Sequence, residues 1–271
     1  MPEDMTLTDL PPCRVFDRGG ARQVVALHCS LAHGGAWAGL AGLLSGVVVT
    51  APDQPGHGKA ADWDGTTDLH AETTRQSVAV IAAAGGPIDL FGHSFGGTIA
   101  LRIALERPDL VRSLTLVEPV IFAAAKGMAP AVFAAFEAQH RSFGAMVRAR
   151  DWQDAAAEFH SYWGTGGNFA DLPDWTRAYI VQRIRLIEAQ NRFLLDDAAG
   201  LLRPGGLEAL RVPVLLIDGA DSPPIIDALH RGLAARLPQV TRLTVPGAGH
   251  MVPITHPDRI AGAVQAHLDG C

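Results

Sequence analysis

Ser94 stands at the centre of Gly92-His93-Ser94-Phe95-Gly96, between an apolar strand-like run and a helical pattern. A sharp strand-to-helix turn strains its central residue and projects that side chain outward. The residues two before and two after must then be small, so that strand and helix can approach. This G-x-S-x-G spacing is that of a nucleophile elbow. A helix starting at the turn adds its dipole and free N–H groups, which favour an anionic intermediate.

A serine hydroxyl is a weak nucleophile and needs a base, and the base needs an orienting acid. His250, in the Gly-rich "VPGAGHMVPITHP" after the last strand-like run, is the candidate base. Of the eleven histidines, His57 falls in a turn and His256 at the opening of the last helix. His70, His140, His160, His230 and His267 lie in amphipathic helical segments, and His93 points the other way on the elbow. The acid should lie between serine and histidine in the chain, at the end of a strand. Glu118 in "LTLVEPV" and Asp221 in "LLIDGADSPP" both qualify, and Asp218, still inside a strand, is weaker. An oxyanion hole needs two backbone N–H groups aimed where negative charge develops. Phe95, after the nucleophile, and Ser30, in the loop "HCSLAHGGAW", are the candidate donors.

The elements that must hold these residues are legible as apolar runs. Strands are expected at 24–28, 47–52, 88–92, 113–119, 212–218 and 241–246, short and rich in Val, Ile and Leu. Helices are expected near 36–45, 68–84, 97–106, 224–237 and 257–268, the third ending before Pro108. Their alternation implies a mostly parallel α/β sheet covered on both faces. From 121 to 204 only helical periodicity is evident. That stretch carries twelve of the seventeen aromatic residues. It reads as a helical cap insertion (121–204) in a core made of 1–120 and 205–271.

Composition excludes several classes. The 271 residues are 48% hydrophobic and 18% charged, as in a folded globular protein. A net charge of −6 without basic blocks argues against nucleic acid as a partner. The acidic first residues do not read as a secretory signal, and no run of about eighteen apolar residues predicts a membrane span. Three scattered cysteines read as free thiols in a reducing compartment, so a cytoplasmic location is expected. No metal-ligand spacing or dinucleotide fingerprint is present, so no cofactor is expected.

Taken together, "LHCSLAHGGAW", "VVVTAPDQPGHGKA", "GHSFGG" and "VPGAGHMVPITHPDRI" resemble the α/β-hydrolase superfamily over nearly the whole chain. The resemblance is to its capped serine-hydrolase branch of small esterases, lactonases and carbon–carbon bond hydrolases. Two departures stand out. Cys29 replaces the glycine of the usual His-Gly in the oxyanion loop, which brings a thiol near the substrate. The usual Gly-x-x-Asp after the late strand, counted from Gly219, lands on Ser222 and leaves Asp221 one residue early. Glu118 falls where haloalkane dehalogenase-like relatives place their acid, so the resemblance favours Glu118 over Asp221. Those relatives carry aspartate at the elbow; Ser94 implies acyl transfer to water instead. The expected activity is hydrolysis of a small or medium apolar carboxylic ester or lactone, the alternatives being carbon–carbon bond hydrolysis or an idle small-molecule-binding protein.

Overall fold

The computed structural model describes residues 10–271. The expectation of no secretory signal rests on residues 1–12, of which 1–9 lie outside the described residues. Among the described residues seven strands form one sheet: β1 (Cys13–Asp17), β2 (Arg22–Leu27), β3 (Val47–Pro52), β4 (Ile88–His93), β5 (Val111–Val117), β6 (Val214–Gly219) and β7 (Val240–Val245). Their order is β1-β3-β2-β4-β5-β6-β7, with β1 antiparallel to β3 and every other pair parallel. The helices are α1 (Ala38–Leu43), α2 (Leu69–Ala83), α3 (Phe95–Glu106), α4 (Pro130–Ala149), α5 (Trp152–Trp163), α6 (Asp174–Arg183), α7 (Arg185–Asp196), α8 (Pro224–Ala234), α9 (Val252–Thr255) and α10 (Pro257–Asp269).

The inner strands are largely apolar runs because both faces of the sheet are covered there. Val25, Leu27 and Leu90 join a core with residues of α3 and α8, while Val24, Ala26 and Phe91 face α1 and α10. Successive side chains of a strand point to opposite faces, so one run of valines supplies both cores. β4 is buried throughout and is the central strand. Its neighbours β2 and β5 are paired to it in parallel, so the three end at one edge. That edge carries Ser94 after β4, Glu118 after β5 and the loop that begins at His28 after β2.

β1 lacks a buried apolar run, so apolar patterning does not mark it in the sequence. Among the described residues it pairs only with β3, and its residues are mostly exposed, Val15 among them. An outermost strand has no second neighbour and no need of an apolar pattern. Between β5 and β6 the chain forms α4 to α7, with Phe143, Val147, Ala155, Ala156, Ile184 and Ile187 in a separate small core. Phe122, Phe133, Phe136, Trp163 and Phe193 of the same segment pack into the larger core of the sheet. Among the described residues no helix is long and apolar enough to cross a membrane.

Candidate active site

The elbow is a tight contact between backbones. A Cβ on Gly92 would lie 2.4 Å from the Gly96 carbonyl oxygen, and one on Gly96 would lie 2.3 Å from that of Leu27. Both distances are far inside contact, so only glycine allows β4, α3 and the end of β2 to meet here. Ser94 takes φ +54° and ψ −118°, outside the usual basins of an L-residue. Strain of this kind costs about 1–3 kcal/mol and persists only where the surroundings enforce it. Here they do: Ser94 N–H donates to the Val117 carbonyl, and the Ser94 carbonyl accepts from the N–H groups of Gly97 and Thr98.

From Ser94 a hydrogen-bonded chain runs inward. His250 Nε2 lies 2.9 Å from Ser94 Oγ, and His250 Nδ1 lies 2.6 Å from Glu118 Oε2. All three residues are buried. Glu118 leaves β5 at φ +44°, with its N–H donating to the Ile217 carbonyl, and this turn directs its carboxylate under the histidine loop. Its other oxygen, Oε1, accepts from Gly219 N–H at 2.7 Å and from the Ser222 hydroxyl. Burial alone would raise this carboxyl. The bond and charge of His250, with the Gly219 and Ser222 donors, outweigh burial and hold it below the ordinary glutamate value. An ionised Glu118 keeps the proton of His250 on Nδ1, which leaves Nε2 free to accept the hydroxyl proton of Ser94.

Of the two carboxylates weighed, the structure brings only Glu118 into this chain. Asp221 is exposed and contributes a backbone N–H to the Ala248 carbonyl. The turn after β6 sends residue 222 inward, so the hydroxyl of Ser222 meets Glu118 and the Asp221 side chain faces solvent. Asp218 is buried but bonds Thr244 Oγ1 and lies beside His230. His93 does not point away from the site. Its ring packs 5.2 Å from that of His250, and its Nε2–H donates to the His250 carbonyl at 2.9 Å. Burial lowers His93 to about 3, so it remains a neutral donor that ties down the histidine loop.

Phe95 is the first residue of α3, and the first N–H groups of a helix have no partner within it. Ser30 lines the cavities beside Ser94, and its hydroxyl donates to Gln190 Oε1 at 2.9 Å. The loop that carries Ser30 is anchored by His28. His28 Nδ1–H donates to the Cys29 carbonyl at 2.7 Å, and its Nε2 accepts from Gln54 N–H at 3.1 Å. Gln54 Nε2 returns a bond to the His28 carbonyl. Cys29 lines a cavity with Ser94, and burial pushes its thiol up to about 12, so it is uncharged at neutral pH.

The hydroxyl of Ser94 opens on a cavity of about 470 Å³. Trp163, Tyr179, Ile180 and Phe159 from the α4–α7 segment form part of its wall, with Met251 and Ile254 beside the histidine. Trp163 stands edge-on to the His250 ring, with centroids 4.7 Å apart. Gln54, Ser222, Trp163 and Gln190 escaped sequence reasoning. Only Ser222 carried a signal, because it occupies the position where the Gly-x-x-Asp pattern expects an acid.

Residues 24–263 match the model of a family described as the alpha/beta hydrolase family. The chain is 28% identical to a pimeloyl-(acyl-carrier protein) methyl ester esterase of Xanthomonas campestris pv. campestris, over 91% of this chain and 94% of that protein. It is 32% identical to the lipase LipV of Mycobacterium tuberculosis, where the match spans 39% of this chain and 40% of the lipase. A haloalkane dehalogenase variant from Bradyrhizobium elkanii superposes with a TM-score of 0.73 at 20% identity, covering 95% of this chain and 92% of that one. That likeness is one of fold.

Proposed function

The chain belongs to the alpha/beta hydrolase family, and on that premise we propose that it is a serine hydrolase of small or medium apolar carboxylic esters or lactones. The observation that carries the reading is the buried Ser94–His250–Glu118 chain at the mouth of a largely apolar cavity. Ser94 Oγ attacks the carbonyl carbon as His250 Nε2 takes its proton, and Glu118 stays ionised and holds the imidazolium. The N–H groups of Phe95 and Ser30 receive the oxyanion. His250 then gives the proton to the leaving oxygen, the alcohol departs, and an acyl group remains on Ser94. Water, deprotonated by His250, attacks the acyl carbon, and the acid leaves as Ser94 regains its proton.

The helical segment 121–204 serves as a cap, since its aromatic side chains roof the cavity over Ser94. The names of the esterase and the lipase support ester chemistry. Among the described residues lining the outer cavity there is no lysine or arginine to hold a carboxylate-bearing tail, which favours an apolar ester over a carbon–carbon bond substrate. The test is turnover of a series of 4-nitrophenyl esters and lactones by wild type and Ser94→Ala. Hydrolysis by wild type that disappears in the variant is expected; equal turnover by both would end the proposal.

A further inference from the structure

A second, smaller cavity of about 30 Å³ lies behind the first. Ser30, Ser94, Phe159, Trp163 and His250 line both, so the two chambers meet at the nucleophile. The inner one has room for about two to three non-hydrogen atoms. Val120, Phe122, Ile187 and Leu194 make its walls apolar. Against those walls stands one carboxamide. Gln190 is 1% exposed, and its Oε1 is fixed by the Ser30 hydroxyl at 2.9 Å. Its Nε2 is buried and, among the described residues, has no hydrogen-bond partner. His140, which also lines the chamber, spends its Nε2 on Asn191 Oδ1 at 2.7 Å.

A buried donor without a partner costs free energy that an apolar residue of the same size would avoid. The amide is oriented by a bond to the oxyanion loop and lines the same chamber as the reacting serine. We infer that the inner chamber is a specificity pocket for a short substituent of the scissile ester, about three non-hydrogen atoms long, that carries a hydrogen-bond acceptor received by Gln190 Nε2. This inference rests on the ester-hydrolase reading. The larger, apolar half of the ester occupies the outer cavity. The substituent can come from the acyl side or the alcohol side, and both place an ether, hydroxyl or carbonyl oxygen in the same chamber.

Matched esters test it. On the acyl side, 4-nitrophenyl methoxyacetate is compared with the butyrate; on the alcohol side, ethylene glycol monohexanoate is compared with propyl hexanoate. Each kcat/KM is divided by the hydroxide-catalysed rate of that ester, which removes intrinsic reactivity. Wild type should prefer the oxygenated member of one pair about tenfold, the effect of one buried hydrogen bond, and that pair identifies the side bound. In Gln190→Met the oxygenated-to-carbon ratio should fall about tenfold. Should that variant fail to fold, the normalised wild-type ratio decides alone. No preference in either pair, or a ratio unmoved in folded Gln190→Met, overturns the pocket and leaves the serine-hydrolase reading intact. Absence of turnover of every ester overturns both.

Discussion

Replacing Glu118 by Gln should cost about four orders of magnitude in kcat with little change in fold. The reason is which atoms can donate. Oε1 receives the Gly219 N–H at 2.7 Å and the Ser222 hydroxyl, and a backbone amide cannot reverse its polarity. The carbonyl oxygen of the new amide therefore takes the Oε1 place, and its NH2 faces His250 Nδ1, 2.6 Å away in the wild type. Two donors cannot face each other, so the imidazole proton moves to Nε2, which lies 2.9 Å from Ser94 Oγ. Nε2 then donates, and the serine proton has no acceptor. The equivalent change in a serine protease drops kcat by about 10⁴, or about 5 kcal/mol at 1.36 kcal/mol per tenfold. Burst and steady-state kinetics on a 4-nitrophenyl ester, with circular dichroism to verify the fold, make the assay. Asp221→Asn is the control and should stay within about twofold of wild type. A folded Glu118→Gln within about tenfold of wild type, or a large loss in Asp221→Asn instead, would refute the reasoning.

Ser222→Ala removes one of three donors to a buried carboxylate; a bond of this type is worth about 1.5–3 kcal/mol, and kcat measured by steady-state turnover should fall about tenfold or more. Gly96→Ala would put a methyl 2.3 Å from the Leu27 carbonyl; overpacking of about 3 kcal/mol should lower Tm by roughly 6–12 °C, readable by calorimetry. Glu118 has a lowered pKa in the fold, so the unfolded chain binds its proton first as pH falls. Its stabilisation is complete above the ordinary value of 4.5 and is lost as pH drops from there through the folded value. Denaturant midpoints should therefore fall more steeply below pH 4.5 in wild type than in Glu118→Gln.

The central strands, the helices beside them and the elbow were legible in the sequence because each rests on local chemistry. β4 is buried on both faces, and the contacts at Gly92 and Gly96 admit no side chain. β1 and the partners of the site were not legible. The edge strand β1 carries no burial pattern, as Val15 shows at 60% exposure. Glu118 and Asp221 both follow strands. What separates them is the φ +44° turn at Glu118 and the register of the loop after β6, which brings Ser222 inward instead of Asp221. Gln190 meets Ser30 across 160 positions of chain, and no local spacing encodes such a contact. Cys29 was legible as a departure, but that burial keeps its thiol protonated follows only from the packed loop.

The central claim is that Ser94 is a nucleophile activated by His250, and covalent trapping tests it most directly. Folded protein treated with a fluorophosphonate, digested and sequenced by mass spectrometry should carry one adduct, on Ser94. His250→Ala should slow the labelling sharply, and heat-unfolded protein should not label. Folded wild-type protein that takes no adduct, or takes it on another residue, would contradict the account.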